Sequence, residues 1–356
     1  MNHAKLTVRS IRARAVSAPM KFPLGTSAAR MNRAPFVLLD LYTNEDIVGH
    51  AHVFCYMELA APMICEVLEE AGSLLTGVSL EPETLSKICR DHFMLLGHQG
   101  IIGMAISAID VACWDALSQA SGLPLSKYLG GDLLSIPAYN SNGLSLSSDA
   151  VDVGEISDEA SSLLDQGFNA IKIRLGRLDH GEDIKAIRAA RSAISNESFL
   201  MSDYNQALSV PDAHARGADL EQEGLYWIEE PISNEDLKGN AQVTKALRVS
   251  IQNGENYSNL NFLAMAMSMK SMDYVMVDLM RIGGVSGWMR AASLAKKAGL
   301  PMSSHLYPEV SVHLLAATPT AHWLEYVDWG EVFIVNSIRL SNGSAEVPAG
   351  PGTGVF

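Results

Sequence analysis

The sequence predicts an α/β protein whose main part is a closed barrel of alternating strands and helices. Eight short apolar runs follow one another from residue 136, and helix-like stretches separate most of them. Such alternation predicts a parallel sheet, and eight runs predict that the sheet closes. Three carboxylates, Asp203, Glu229 and Glu255, also follow such runs at intervals of 26 residues. That interval is about one strand-plus-helix unit of a TIM-like barrel.

Length and composition limit the classes of function. A chain of 356 residues with 48% hydrophobic content can form a barrel and an additional cap. The net charge of −14 argues against nucleic acid or an anionic membrane surface as a partner. The 4 cysteines show no CxxC spacing, which indicates reduced thiols and a cytoplasmic location. Polar residues interrupt every apolar stretch, so we expect neither a signal peptide nor a membrane span.

Residues 1–130 are predicted to form a separate α+β capping domain. Val8–Val16 and Pro35–Tyr42 have the composition of two antiparallel strands, and Met20–Ala34 between them is predicted to be a loop. Gly130 and Gly131 mark the boundary with the barrel. Apolar residues at helical spacing predict helices over Leu59–Leu75, Leu80–Leu95 and Gly103–Ala120.

Residues 131–328 are predicted to form the barrel. Residues 329–356 are rich in Gly and Pro and cannot form another strand-helix unit, so we expect them to pack back on the cap. Helices are predicted over Asp158–Gln166, Asp183–Ile194 and Val285–Ala298. The strands are predicted at Ile136–Tyr139, Ala170–Ile173, Phe199–Met201, Leu225–Ile228, Val249–Ile251, Tyr274–Val277, Leu300–Met302 and Ala321–Leu324.

The three evenly spaced carboxylates predict a metal site. Strand ends on one side of a barrel converge, and a purely carboxylate set of ligands suits a hard cation such as Mg²⁺. Glu230 competes with Glu229 for the ligand position. Strict alternation along a strand would allow only one of the two to face inward, and the 26-residue interval favours Glu229.

Other strand ends also carry titratable or charged residues. Lys172 and Arg174 are two residues apart on one strand and therefore face the same side. Asp278 and His305 end two consecutive strands, and an Asp that accepts a hydrogen bond from a His ring makes that His a stronger base. Glu325 ends the eighth strand.

Several motifs make the chain resemble the mandelate racemase subgroup of the enolase superfamily. They are AIKIR, MSDYNQ, WIEEP, QNGENY, VDLMRIGGVSGW, SSHLYPEVSVHLLAATPTAHWLE and PGTGV, and the resemblance covers nearly the whole chain. It implies a (β/α)7β barrel with an N-terminal α+β capping domain that the C-terminal segment completes. It also implies Mg²⁺-dependent removal of the α-proton of a small 2-hydroxycarboxylate through an enediolate, and a homo-oligomer.

The resemblance further implies roles for individual residues. Asp203, Glu229 and Glu255 correspond to the metal ligands, and His305 with Asp278 corresponds to the base. Lys172 would contact the substrate carboxylate, with Ser141 and Asn205 as polar neighbours, and Glu325 would be the acid on its second oxygen. The segment Leu24–Met31 would close over the substrate. Leu24, Thr26, Ala28, Met31, Phe54 and Tyr56 would line the pocket.

Arg174 departs from the family pattern, in which a lysine acts as the second base. Because arginine stays protonated, it is a poor base. Arg174 could instead contact the substrate or form a structural ion pair. The breadth of the resemblance makes a racemase or epimerase the first choice. Arg174 makes an acid-sugar dehydratase with His305 as its single base the alternative. The third possibility, a catalytically silent carboxylate-binding protein, is disfavoured by the Asp278–His305 pair.

Overall fold

The computed structural model describes residues 5–354. The cap begins with a three-stranded antiparallel sheet in the order β1-β2-β3. Its strands are β1 (Val8–Gly25), β2 (Arg30–Thr43) and β3 (Val48–Phe54).

The expected loop over Met20–Ala34 is wrong, because β1 and β2 continue through most of it as a long hairpin. Pro19 and Pro23 are tolerated because β1 is an edge strand, where a missing N–H need not break the ladder. A register shift between Pro19 and Leu24 accommodates the irregularity.

Strand β3 was not predicted, because Gly49 and two histidines interrupt its apolar pattern. Gly49 is required there, since a Cβ atom would lie 1.9 Å from the carbonyl oxygen of Ala112. The cap helix that contains Ala112 therefore packs directly on the strand.

The cap helices are α1 (Ala60–Leu75), α2 (Pro82–His92), α3 (Gly100–Ala120) and the short α4 (Leu125–Tyr128). Within residues 5–354, α3 is the one helix long and apolar enough to span a membrane, but 67% of its most apolar window is buried inside the protein. Its apolar surface is used for packing in the cap core, as is usual for a buried helix.

Eight strands, β4–β11, form the barrel, and seven crossover helices alternate with them, so the predicted (β/α)7β fold is confirmed. Strand β11 pairs in parallel with β4, and Ser304 N donates to Trp323 O, which joins β10 to the segment leading into β11. The strands are β4 (Ser135–Asn140), β5 (Ala170–Arg174), β6 (Phe199–Asp203), β7 (Trp227–Glu229), β8 (Ser250–Asn253), β9 (Tyr274–Asp278), β10 (Met302–His305) and β11 (Leu324–Tyr326). The helices are α5 (Val153–Leu164), α6 (His180–Ala193), α7 (Val210–Leu220), α8 (Leu237–Ala246), α9 (Leu260–Ser268), α11 (Gly284–Ala298) and α12 (Pro308–Ala316), with the single turn α10 (Leu279–Ile282) before α11.

The C-terminal segment contacts both parts of the molecule. Strands β12 (Leu340–Ser341) and β13 (Ser344–Glu346) form a hairpin, and β13 pairs antiparallel with β4 of the barrel. Further on, Thr353 N donates to Asp115 Oδ1 of α3 at 2.7 Å. The segment thereby links the barrel to the cap.

A second link between cap and barrel is the buried carboxylate of Asp110 on α3. It accepts hydrogen bonds from the backbone N (2.9 Å) and the hydroxyl (2.5 Å) of Ser286, in the first turn of α11. A side chain of the cap thus satisfies a backbone donor at the start of a barrel helix that has no side-chain cap of its own.

Replacing Asp110 with Ala is expected to lower the free energy of unfolding by about 1–3 kcal/mol, because the half-buried donors of Ser286 lose their acceptor. Urea unfolding followed by tryptophan fluorescence measures the change. The exposed Asp132 offers a matched Asp→Ala control. A loss no larger than that of the control would show that this contact contributes little.

Candidate active site

A cavity of about 190 Å³ lies between the cap and the carboxyl ends of the barrel strands. The cap supplies an apolar wall from the β1–β2 hairpin, and the barrel supplies polar side chains. A wider cleft of about 1150 Å³ lies along α2 and α11, but it is lined by none of the predicted site residues. The smaller cavity is therefore the candidate active site.

The three evenly spaced carboxylates converge beside this cavity. Asp203 and Glu229 are in register on neighbouring strands, and Glu255 lies two residues beyond the end of β8. The intervening Gly254 has φ 131°, and a Cβ atom there would meet Met276 O at 2.4 Å. One oxygen of each carboxylate lies within 4.8 Å of the others, and all three residues are buried.

Their chemistry fits magnesium. The donors are carboxylate oxygens, which Mg²⁺ prefers, without the sulfur or imidazole ligands that favour zinc. Within residues 5–354 this is the one cluster of Asp, Glu, His or Cys that meets the geometry of a metal site.

The expectation that only one of Glu229 and Glu230 would face inward is wrong. The strand ends at Glu229, and Glu230 adopts a left-handed backbone with φ 38°, so both residues are buried and Glu230 lines the cavity. Its carboxylate accepts hydrogen bonds from Asn256 at 2.8 Å and Gln206 at 3.0 Å. Burial, together with the charge of Glu255, raises the pKa of Glu230 to about 8.

Lys172 lies at the centre of the buried charges. Its Nζ is 2.7 Å from Glu229 Oε1, 2.9 Å from Glu325 Oε1 and 3.4 Å from Asp203 Oδ2. Burial alone would lower the pKa of Lys172, but the carboxylates of Glu229 and Glu325 outweigh it and raise the pKa well above its usual value. Lys172 is therefore a permanent ammonium group at the cavity.

Arg174 binds backbone carbonyls at the end of β4. Its Nη1 donates to Gly143 O at 3.0 Å, and its Nη2 donates to Ser141 O at 3.1 Å and to Ser141 Oγ at 3.3 Å. Its Nε is buried without a hydrogen-bond partner, and the side chain lines the cavity. The guanidinium group supports the loop after β4 while leaving one donor unused.

Asp278 and His305 form a buried pair. The two residues are in register on β9 and β10, and His305 Nδ1 lies 2.7 Å from Asp278 Oδ2. The other ring nitrogen, Nε2, lies 3.4 Å from Glu255 Oε2. Burial would lower the pKa of His305, but Glu255, Asp278 and Glu325 together raise it to about 9. The ring is thus oriented by Asp278, with Nε2 on the side of the carboxylate triad.

Both oxygens of Glu325 are held by hydrogen-bond donors. Lys172 binds its Oε1, and Leu306 N donates to its Oε2 at 2.9 Å. Burial would raise the pKa of Glu325, but Lys172 and His305 lower it to about 2. Within this set of residues Glu325 is a carboxylate, whereas the resemblance implies an acid.

The remaining predicted residues divide into two groups. Leu24, Thr26, Met31, Phe54, Tyr56 and Asn205 line the cavity with Lys172, Arg174, Asp203, Glu255, His305 and Glu325. Ser141, Glu229 and Asp278 are fully buried beside residues of that lining. Asn205 binds Asp203 through its backbone N at 2.7 Å and its Nδ2 at 3.0 Å.

The hairpin tip that carries the apolar wall is fastened to barrel loops. Ser27 Oγ lies 3.0 Å from the carbonyl oxygens of Tyr204 and Asn205, and Arg30 Nη1 donates to Ser147 O at 2.9 Å. Leu146 N donates to Gly25 O at 2.8 Å. These bonds close one side of the cavity.

Sequence reasoning missed five residues of the lining: Gln206, Asn256, Arg281, Leu306 and Trp329. Two of them lie close to predicted site residues: Asn256 follows Glu255, and Arg281 lies three residues after Asp278. That proximity was the available signal. Arg281 Nη1 donates to Asn256 Oδ1, so the two residues act together.

The fold and this site define a barrel enzyme that binds a hard divalent cation. Residues 155–356 match the family "Enolase C-terminal domain-like", and residues 8–130 match "Mandelate racemase / muconate lactonizing enzyme, N-terminal domain". The chain belongs to this family, within the enolase superfamily of Mg²⁺-dependent enzymes. The superfamily resemblance is confirmed.

Solved structures and curated relatives agree with this assignment. An enolase from the alphaproteobacterium bal199 with bound Mg has 37% identity and a TM-score of 0.94, covering 99% of this chain and 97% of that one. A Bradyrhizobium enolase complexed with magnesium and mandelic acid has 37% identity and a TM-score of 0.92, covering 99% and 96%. The L-talarate/galactarate dehydratase of Salmonella typhimurium is 33% identical over 70% of this chain, and the match spans 62% of that enzyme. Other relatives are dehydratases, cycloisomerases and epimerases, so the protein is an isomerase or a lyase.

Proposed function

We propose that the protein is a dehydratase that removes the α-proton of a 2-hydroxycarboxylate with His305 and expels a hydroxyl group from the β-carbon. The observation that carries this proposal is the position of the Asp278–His305 pair beside the carboxylate triad and Lys172 in one cavity. A base, a cation site and an ammonium group are the parts needed to form and stabilise an enediolate.

The metal ligands in this proposal are Asp203, Glu229 and Glu255. Bound Mg²⁺ would supply Lewis-acid polarisation of the substrate carboxylate and positive charge beside Glu255, the carboxylate that contributes most to the raised pKa of His305. Lys172 supplies a second positive charge for the same carboxylate, and its position is fixed by three anionic neighbours. Stabilisation of this kind is usually the largest contribution to catalysis.

Arg174 favours a reaction that uses a single base on one face of the substrate. Both of its terminal nitrogens donate to carbonyl oxygens of the loop after β4, and an arginine side chain is a poor proton acceptor. A second base on the opposite face of the substrate would have to exchange a proton readily. Arg174 is poorly suited to that task, so we assign it to supporting the loop and donating Nε–H to the substrate.

A single base is productive when the substrate carries a leaving group. Nε2 of neutral His305 takes the α-proton, and the electron pair of the broken C–H bond is delocalised into the carboxylate. As the Cα–Cβ double bond forms, the C–O bond at Cβ breaks. The departing hydroxide takes a proton from His305 and leaves as water. The resulting enol tautomerises to a 2-keto acid, so the products are one 2-keto acid and one water molecule.

Racemisation is the second candidate, and the apolar wall supports it. Leu24, Ala28, Met31 and Phe54 line one side of the cavity, a surface suited to an apolar substituent. The Bradyrhizobium enolase, at 37% identity, is complexed with mandelic acid, a 2-hydroxycarboxylate with an aromatic substituent and no β-hydroxyl group.

Incubation with Mg²⁺ in D₂O is expected to separate the candidates. The panel holds mandelate, which has no leaving group, and the acid sugars galactarate, arabinonate, gluconate and L-rhamnonate. We expect a 2-keto acid from at least one acid sugar, and α-deuterium in mandelate without loss of optical rotation. NMR, polarimetry and a keto-acid assay give the three readouts. Inversion of mandelate without any keto acid would replace dehydration by racemisation, and no exchange in the whole panel would contradict both candidates.

A further inference from the structure

The oxygen of Asp278 that orients His305 has a second donor, which comes from the cap. Tyr56 Oη lies 3.1 Å from Asp278 Oδ2, the same atom that His305 Nδ1 contacts at 2.7 Å. The other oxygen, Oδ1, accepts from the backbone N atoms of Met280 at 2.8 Å and Arg281 at 2.9 Å. Four donors therefore fix a buried carboxylate, and only Tyr56 among them belongs to the cap.

The ring of Tyr56 is itself held in place. Its backbone has φ 61°, which costs a non-glycine residue energy and is retained where the surroundings demand it. The guanidinium carbon of Arg281 lies 4.5 Å from the ring centroid, and the ring of Phe54 packs at 4.7 Å. The direction of the hydroxyl group is thus set by its neighbours.

Arg281 connects this arrangement to the carboxylate triad. Its Nη1 donates to Asn256 Oδ1, and the Nδ2 of Asn256 lies 3.3 Å from Glu255 Oε1 and 2.8 Å from both oxygens of Glu230. The side chain of Arg281 is half-buried beneath Tyr56 and lines the cavity. One cation therefore supports both Tyr56 and the loop that carries Glu255.

We propose that Tyr56 and Arg281 are positioning residues for the Asp278–His305 base, so that the base is aligned when the end of β3 is seated on the barrel. This inference rests on the proposed role of His305 as the base. Tyr56 had been predicted as an aromatic wall of the pocket. Its hydroxyl group instead serves Asp278, and the ring keeps its place in the cavity lining.

The test is the substitution Tyr56→Phe, which removes the hydroxyl group and keeps the ring. Removing a residue that hydrogen-bonds a site residue typically lowers activity by about 10- to 100-fold. We therefore expect kcat for α-exchange to fall by that factor, while KM changes little. Tyr42→Phe, on β2 of the same sheet, is the matched control, because its hydroxyl group lies 3.4 Å from Asp40, a residue outside the cavity lining. A wild-type kcat in Tyr56→Phe, or an equal loss in the control, would overturn the proposal.

Arg281→Lys, which keeps the charge but loses the planar group, gives a second measurement. If Arg281 acts through Tyr56, the double variant should lose less activity than the product of the two single losses. Fully independent losses would remove Arg281 from the proposal. Exchange by the wild-type protein is measured first. If it fails across the panel, the proposed function fails, whereas wild-type exchange with an unaffected Tyr56→Phe variant refutes only the positioning role.

Discussion

Replacing His305 with Asn is expected to reduce α-proton exchange by about 10²- to 10⁴-fold, the contribution of a positioned general base. Asn can still donate a hydrogen bond toward Asp278, so the buried carboxylate keeps a partner while the group that accepts the α-proton is lost. Exchange of the α-proton for deuterium, followed by NMR in the presence of Mg²⁺, measures the effect.

His322→Asn is the matched control for this substitution. His322 lies in the segment leading into β11, where it contacts Tyr226 Oη at 2.9 Å and Ser303 Oγ at 3.2 Å, and it does not line the cavity. We expect its exchange rate to stay close to that of the wild-type protein. A His305→Asn variant that exchanged at the wild-type rate would exclude His305 as the base.

Replacing Glu229 with Gln is expected to weaken Mg²⁺ binding by more than about 100-fold. Loss of a residue that only hydrogen-bonds a metal ligand costs up to about 100-fold, and loss of a ligand should cost more. The substitution removes one anionic oxygen donor with almost no change in shape, and it also removes the negative charge closest to Lys172. Isothermal titration calorimetry with MgCl₂ measures the affinity directly and is independent of any substrate.

The adjacent Glu230→Gln variant provides a sharp control. Both residues are buried, but Glu230 binds Asn256 and Gln206 and is not one of the clustered triad. We expect its affinity for Mg²⁺ to fall by about tenfold, the lower end of the range for a residue that contacts the ligands without binding the metal. A larger loss in Glu230→Gln than in Glu229→Gln would move the proposed metal site by one residue.

The barrel could be predicted because its signal is local. Each strand is a short apolar run, and a parallel barrel places every strand end on the same side, so a polar residue after a run points toward the mouth. Asp203 and Glu229 illustrate this, since they stand in register on adjacent strands. Glu255 follows the same rule because Gly254 allows the chain to turn inward just beyond β8.

The rest of the site depends on conformations that a periodic pattern does not encode. Four residues have positive φ values: Tyr56, Asn205, Glu230 and Leu306. Each of them lies within the first two residues after the end of a strand. In such a conformation the side chain departs from simple alternation, which is why Glu230 was expected to face outward. The left-handed region is favourable for few residues, and only contacts from distant segments decide where it is adopted.

Long-range partners explain the other differences. Two hydrogen bonds of the site join residues that are far apart in the sequence. Tyr56 binds Asp278, and Arg174 binds the loop after β4. Arg174 was predicted on the correct face of its strand, but its acceptors are carbonyl groups, which every residue possesses and no sequence pattern identifies. The long β1–β2 hairpin escaped prediction for a related reason, since two prolines are compatible with a strand only when it lies at an edge.

The β1–β2 hairpin is attached to the barrel through backbone carbonyl groups, and this affects how the substrate pocket can evolve. Ser27 and Arg30 reach carbonyl oxygens of the barrel loops, and Gly25 itself is held through its own carbonyl. Those acceptors persist whatever side chains the loops carry. The neighbouring wall residues Leu24, Ala28 and Met31 can therefore be exchanged without loosening the attachment. New substrates can be selected by mutating these hairpin residues, while the proton chemistry in the barrel is left untouched.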